Sequence, residues 1–157
     1  MRTHIEQLHF FKVLDPVADA FDGTVASDVV NLGKGGSSAF FLIHKGVGAT
    51  GTSTVTVEAC DDFVPTTTSA IPFLYRAITS GDTPGAVTRA EAAGFTTTAG
   101  SSQIYAIQVP AENLAGLGYP CVRVKAVESV NSPVVGSIIG FVMDLKSAED
   151  IDPTLIA

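Results

Sequence analysis

The chain has 157 residues, of which 46% are hydrophobic and 16% are charged, a composition that fits one folded domain and excludes a disordered chain. A domain of this length buries about 68–70% of the surface that its unfolded chain exposes, so a metal or a disulfide is not needed for stability. Nine basic and 16 acidic residues give a net charge of −7, which disfavours binding to the phosphates of a nucleic acid. The low charged fraction also indicates that other subunits cover part of the surface.

Membrane and secretion signals are not expected from the sequence. Residues 1–6 contain no apolar run of the secretory type. The longest apolar stretch, residues 134–143, is too short to span a bilayer and is interrupted by Gly136 and Gly140. We therefore expect cytoplasmic synthesis and no membrane association. For Cys60 and Cys121 we expect two small buried side chains, with a disulfide as the alternative.

Short segments with the pattern of β-strands follow one another along the chain. The strongest is residues 54–59, in which Val55 and Val57 lie on one face and Thr54 and Thr56 on the other. Turns rich in Gly, Ser, Thr and Asp separate the segments, and short helices are expected only at 88–94 and 111–117. The predicted strands are residues 9–14, 39–45, 54–59, 73–79, 103–109, 122–127 and 137–143. This spacing predicts a mainly β fold, either an antiparallel β-sandwich or a β-barrel (jelly-roll-like), and the alternation does not distinguish the two.

The two ends of the chain differ from its middle. We expect an extended N-terminal arm at residues 1–28, a β-sandwich or barrel domain at 29–146, and an acidic C-terminal tail at 147–157. Both ends are weakly patterned, so we expect them to order against a neighbouring subunit. The alternative is that they fold back onto their own domain or stay frayed.

A glycine-rich motif at residues 46–51 matches G-x-G-x-x-G and follows a predicted strand. A dinucleotide site needs a helix directly after this motif, whose N-terminus holds the pyrophosphate. Residues 52–57 are instead rich in Thr and Val at a period of two, which favours a strand. We therefore interpret the motif as a glycine-rich hairpin loop.

Catalytic and metal-binding motifs are not evident. His4, His9 and His44 lack the i, i+4 spacing of a zinc hydrolase, and no G-x-S-x-G nucleophile motif is present. Asp61 and Asp62 follow a predicted strand and are typical of a turn. The sequence therefore predicts a protein that is not an enzyme and that has no cofactor and no metal site, although a triad assembled from distant residues stays an alternative.

Five stretches carry a resemblance to a known family. They are GATGTSTVTVEACDD at 48–62, IPFLYR at 71–76, AGFTTTAG at 93–100, LGYPCVRV at 117–124 and VNSPV at 130–134. They resemble the small head-associated proteins of tailed bacteriophages, over residues 29–146. The resemblance implies a capsid decoration (cement) protein, made in the host cytoplasm and carried on the exterior of the virion. Its implied partners are the major capsid protein and further copies of itself, often as a homotrimer.

The ends of the chain are the elements that we expect to bind these partners. Their apolar anchors would be Phe10, Phe11 and Phe21 in the arm and Ile151, Leu155 and Ile156 in the tail. The alternative function is a receptor- or carbohydrate-binding module of a head fibre or tail, with Tyr75, Tyr105 and Tyr119 as its contacts. The lack of Trp weakens this alternative, because exposed Trp rings are favoured sugar platforms.

Overall fold

A computed structural model describes residues 8–32 and 36–143 of the chain. These residues form twelve strands and one short helix. In chain order the elements are β1 (His9–Val17), β2 (Thr24–Ala26), β3 (Val30–Asn31), β4 (Ser38–Lys45), β5 (Thr52–Cys60), β6 (Thr68–Ile71), β7 (Phe73–Ile78), β8 (Thr88–Ala90), β9 (Phe95–Thr96), β10 (Gln103–Pro110), α1 (Glu112–Ala115), β11 (Cys121–Val130) and β12 (Gly136–Met143).

The strands form two separate antiparallel sheets of six strands each. Sheet A has the order β1-β12-β4-β10-β7-β8. Sheet B has the order β2-β11-β5-β6, with β3 added on β11 and β9 on β5. This arrangement confirms the predicted mainly β fold and identifies it as a β-sandwich rather than a closed barrel. All seven predicted strands lie at their predicted places, to within three residues at each end.

The core lies between the two sheets and follows the alternation of the sequence. In β10, Tyr105, Ile107 and Val109 point inward and are buried, whereas the residues between them are partly exposed. Val55 and Val57 of β5 close the core from the other sheet. Each such side chain contributes roughly 1.5–3 kcal/mol when it leaves water, so these two inner faces hold the sandwich together.

The segment that was predicted as an arm takes part in the sandwich from residue 9 onward. β1 pairs with β12, with Phe11 opposite Gly140. A Cβ atom on Gly140 would collide with the Phe11 ring, so the ring takes the space that a side chain would need. β2 and β3 both pair with β11. In the described part of residues 1–28, the chain therefore folds back onto its own domain, which was the alternative to an arm that orders against a neighbour. The tail at 147–157 lies outside the described residues.

Two local predictions were wrong. The loop at 46–51 is not a hairpin, because it joins β4 of sheet A to β5 of sheet B. Gly48 of that loop has φ 149° and packs so tightly on the backbone of residues 133–134 that a Cβ would not fit. Residues 88–94, expected to be helical, form β8 and a turn that ends at Gly94 with φ 76°. Pairing of β8 with β7 thus overrides the local helix propensity.

The second predicted helix exists as α1, a single turn. No helix in residues 8–32 or 36–143 is long and apolar enough to cross a membrane.

Candidate interaction surface

The outward side of sheet A is apolar, although it faces away from the core. A row of three rings crosses it, since Phe141 of β12 lies opposite both Phe10 of β1 and Phe40 of β4. The ring centroids of Phe40 and Phe141 are 5.1 Å apart with an interplanar angle of 3°, and those of Phe10 and Phe141 are 5.7 Å apart. Such contacts contribute about 0.5–1.5 kcal/mol beyond burial, so the row is a defined feature of this surface.

Further apolar side chains continue this surface across the strands. In the next row Ile139 lies opposite Leu42, and Leu42 lies opposite Ala106. We call the whole surface the apolar face. It is defined by the outward side chains of Phe10, Phe40, Leu42, Leu74, Ile78, Ile104, Ala106, Ile139 and Phe141. Phe10 is 52% exposed and Ile139 46% exposed, so part of this apolar area is in water.

Charges on the apolar face are few. The outward positions of β4, β7, β8, β10 and β12 include Arg76 and Arg89 but no Asp or Glu, and on β1 the outward Lys12 pairs with the exposed Asp15 at 2.8 Å. Arg89 pairs with Glu91 beyond the end of β8. Arg76 uses two N–H groups on the Gly85 carbonyl oxygen, at 3.2 and 3.0 Å. Lys12, Arg76 and Arg89 thus each have an acceptor within the chain.

A hollow of about 80 Å³ lies in the apolar face, above the small side chain of Ala106. Phe40 and Leu74 form two of its walls, and Val87 from the β7–β8 connection forms another. The hydrogen bond from Arg76 to the Gly85 carbonyl oxygen links that connection to sheet A, and it therefore holds Val87 beside the hollow. The hollow is of a size to accept one apolar side chain of a partner.

The outward side of sheet B is polar, unlike the apolar face. Thr54 Oγ1 lies 3.1 Å from Thr96 Oγ1 and 3.0 Å from Ser129 Oγ. Beside it, Glu58 forms ion pairs with Arg123 at 2.7 Å and with Lys125 at 3.2 Å. This is the usual pattern of an antiparallel sheet with one solvated face, apart from the exposed Val127 and the buried cluster of Val29, Cys60 and Cys121.

The Glu58 carboxylate is held in its charged form by its two basic neighbours. Burial acts to raise the pKa of Glu58, but the hydrogen bonds and positive charges of Arg123 and Lys125 outweigh it and place the pKa below its ordinary value. The ion pairs link β5 to β11 on the outer side of sheet B. Because they compensate the Glu58 charge, the burial of this acid does not require a catalytic role.

Inside the sandwich, Lys45 is a buried cation at one end of the core. Its Nζ donates a 2.7 Å hydrogen bond to the Thr98 carbonyl oxygen, and burial lowers the pKa of this amine. Nearby, the Tyr105 hydroxyl donates to Gln103 Oε1 at 3.0 Å and accepts from the Thr98 backbone N–H at 2.9 Å. Every buried side-chain N or O atom in the described residues has a hydrogen-bond partner, so this cluster serves to close the end of the sandwich.

Acidic and histidine side chains do not converge in the part of the chain that the structure describes. No group of three or more His, Cys, Asp or Glu residues there is placed to hold a metal ion. Asp61 accepts the backbone N–H of Thr66 at 3.0 Å and its hydroxyl at 2.6 Å, and these contacts with Thr66 lower the pKa of the Asp61 carboxyl. This is the strand-ending turn that was predicted for Asp61 and Asp62. His44 lies exposed beside Ile104 at the edge of the apolar face.

The predicted anchor residues separate into three groups. Phe10 lies exposed on the apolar face. Phe11 and Phe21 are 7% and 6% exposed and belong to the core of their own chain, so their rings are not available to a partner in this conformation. Ile151, Leu155 and Ile156 lie outside the described residues, and their partner-binding role stays a prediction.

The tyrosines proposed for sugar binding form no common exposed platform. Tyr105 is buried in the core. Tyr75 stacks face to face on Phe95, with centroids 4.0 Å apart and an angle of 2°. Tyr119 is partly buried against the core. The ring faces that a sugar would need are therefore largely occupied within the sandwich.

The apolar face was not predicted from the sequence, although two strands contain an apolar pattern that indicates it. Residues 39–43 of β4 and 138–143 of β12 are apolar at almost every position instead of alternating. In an antiparallel sheet, such a run means that both sides of the strand avoid water. One side is the core, and the other indicates a second buried surface.

Comparison with known proteins identifies no family for this chain. No protein-family model matches the chain, and no curated protein matches its sequence. Among solved structures, one that it superposes on is the structure of infectious bursal disease virus Gx strain, with 15% identity and a TM-score of 0.24 over 86% of this chain. The chain spans 40% of that neighbour. A likeness this weak supports no conclusion, so the resemblance to phage head proteins stays a prediction.

Proposed function

We propose that this chain is a structural protein of a phage virion, which binds the outer surface of the capsid and stabilises the shell by bridging capsomers. The observation that carries the proposal is the apolar face, which offers a contact surface on the outside of a rigid sandwich. The residues quoted for the family resemblance supply the kind of partner, namely a major capsid protein. In this proposal the chain performs no reaction, needs no cofactor, and binds neither nucleic acid nor membrane.

The size of the apolar face suits this role. The five strands that carry its side chains, at a spacing of about 4.8 Å, give a width of about 19 Å, and the eight residues of β12 give a length of about 23 Å. The flat area is thus about 440 Å², which is within the about 300–600 Å² of the largest apolar patch on a typical monomer, a patch that is often functional. A specific interface buries about 800 Å² per partner, so the contact would extend onto neighbouring loops, including the one that carries the exposed Val87.

Stabilisation of a shell follows from contact alone. A subunit seated across the boundary between two capsomers must lose its own contacts before the boundary opens. Repetition over the shell multiplies a modest affinity at each site. A homotrimer of the chain would add contacts between copies, and its mass in solution is measurable by sedimentation.

The proposal is tested with purified chain and with capsids stripped of it. We expect the chain to bind expanded capsids but not precursor capsids, and to raise the temperature or chaotrope concentration at which the expanded shells open. Unchanged melting of the stripped capsids after addition of the chain would refute the proposal.

A further inference from the structure

Lys45 is a cationic side chain inside the sandwich that lacks an acidic partner among the described residues. It occupies the last position of β4, on the inward side of sheet A, and is 2% exposed. None of the ion pairs within residues 8–32 and 36–143 includes Lys45, whereas Glu58, the other buried charged side chain there, pairs with Arg123 and Lys125. Removing an ion from water without a counter-charge is costly, so a partner for the Lys45 charge would stabilise the fold.

The ammonium group of Lys45 uses one of its donors within the described part of the chain. Its Nζ donates at 2.7 Å to the Thr98 carbonyl oxygen, and no second acceptor for it lies among the described residues. An ammonium group carries three N–H donors and no acceptor. Two donors of Lys45 are therefore available to a ligand that accepts hydrogen bonds.

A small cavity between the two sheets is in contact with Lys45. Its volume is about 10 Å³, close to the about 10–15 Å³ that one water-sized particle needs. The polar side chains that line it are those of Lys45, Ser53 and Thr97, and its apolar walls are formed by Phe21, Ile43, Val55 and Val134. No carboxylate of the described residues lines this cavity, so its polar side chains are one cation and two hydroxyl groups.

The two hydroxyl groups are placed to act as donors into this cavity. Ser53 and Thr97 are both buried, and the Thr97 N–H donates to the Ser53 carbonyl oxygen at 2.9 Å. In return the Ser53 N–H donates to Thr97 Oγ1 at 3.0 Å. Since that oxygen already accepts a hydrogen bond, the hydroxyl hydrogen of Thr97 is available to a ligand. An ammonium group with hydroxyl donors beside it, and without a carboxylate, fits an anion.

We propose that the cavity beside Lys45 binds one small monovalent anion, a halide such as chloride. The anion accepts hydrogen bonds from the Lys45 ammonium group and from the Ser53 and Thr97 hydroxyl groups, and it compensates the buried positive charge. The volume of the cavity excludes sulfate, phosphate and organic anions. Because Lys45 belongs to sheet A and Ser53 to sheet B, the anion links the two sheets at this end of the core. This site is independent of the capsid-binding proposal.

Crystals of the unaltered full-length chain grown in sodium bromide test the site directly, because bromide is a halide that scatters X-rays anomalously. We expect an anomalous peak in the cavity, within hydrogen-bonding distance of Lys45 Nζ. An ordered water only, without anomalous signal, would overturn the proposal. Bromide bound at surface positions alone would overturn it as well.

Thermal unfolding measures the effect of the anion in solution. Chloride is raised from about 10 mM to about 1 M at constant pH, and sodium gluconate, whose anion is too large for the cavity, keeps the ionic strength constant. We expect the melting temperature to rise by about 3–6 °C for each tenfold increase in chloride above its dissociation constant, because only the folded chain binds it. A melting temperature that does not depend on chloride would contradict the proposed site.

Two substitutions of lysine by methionine form a matched pair for this measurement. Lys45→Met keeps an apolar stem in the core but removes the ammonium group, so its melting temperature should no longer respond to chloride. Lys12→Met removes an ammonium group whose side chain is 68% exposed, and it should respond as the parent does. Equal responses of the two variants would show that chloride acts elsewhere, and the bromide experiment needs neither variant to fold.

Discussion

Truncation of Phe11 tests whether the N-terminal segment belongs to the sandwich or is free to dock on a partner. Phe11 is 7% exposed and fills the space beside Gly140, and β1 is an edge strand of sheet A. Replacement of a buried Phe by Ala costs about 3–5 kcal/mol, and the edge position favours the lower end. We therefore expect Phe11→Ala to lose about 3 kcal/mol of unfolding free energy.

The neighbouring Phe10 is the matched control, because it lies on the same strand with its ring outside and 52% exposed. Phe10→Ala is expected to lose about 1–1.5 kcal/mol, since its half-exposed ring gives up some buried area and the contact with Phe141. Urea unfolding of the isolated chain, followed by circular dichroism or fluorescence, measures both values with the slope m as a check on the unfolded state.

If the N-terminal segment were instead a free arm, the two variants would differ little in stability from the parent. If residues 8–17 were ordered only by a partner, both variants would unfold within about 0.5 kcal/mol of the parent, as surface substitutions do. That result would refute the placement of β1 in sheet A. It would also mean that Phe11 is available to bind a partner.

Two further substitutions test sheet B and the β8–β9 turn. Glu58→Gln is expected to cost about 1–2 kcal/mol at pH 7, because it leaves two basic neighbours without their acid. Since the folded pKa of Glu58 lies below its ordinary 4.5, the difference from the parent should be full above that value and disappear as the pH falls through the folded pKa. Equal loss at pH 7 and in acid would contradict the ion pair. Gly94→Ala places a methyl group against the Val55 carbonyl at φ 76° and is expected to cost more than Gly81→Ala, which has φ 61° and open space. The latter should cost about 1 kcal/mol in thermal unfolding, and equal costs would contradict the close approach at Gly94.

The strands were predictable because the alternation of this sequence is local. Val55 and Val57 alternate with Thr54 and Thr56, and the inward set is indeed the buried one. The choice between sandwich and barrel was not predictable, since it depends on which strands pair. The loop at 46–51 shows why. Its glycine-rich composition is typical of a hairpin loop, yet the chain crosses there from sheet A to sheet B.

The candidate surface was only partly predictable. Phe10 was selected as an anchor and lies on the apolar face, but Phe11 and Phe21 were selected by the same argument and lie in the core. Adjacent side chains of a strand point to opposite sides, so Phe10 and Phe11 could not both lie on one face, and the pairing of β1 with β12 determines which of them faces the core. The position of Cys60 opposite Cys121 is likewise set by register between distant strands.

In the proposed function, the apolar face is the surface that binds the capsid shell. Ile139 and Val127 form a matched pair, because both are exposed aliphatic residues of central strands, at 46% and 39%, on the outer sides of sheets A and B. An aspartate buried in an apolar contact costs at least about 2–3 kcal/mol, which is about a 30–150-fold loss of affinity. Binding of Ile139→Asp and Val127→Asp to stripped, expanded capsids is therefore the most direct measurement. We predict that loss for Ile139→Asp and a change of less than about threefold for Val127→Asp. Equal binding by the two variants would mean that the apolar face does not bind the capsid.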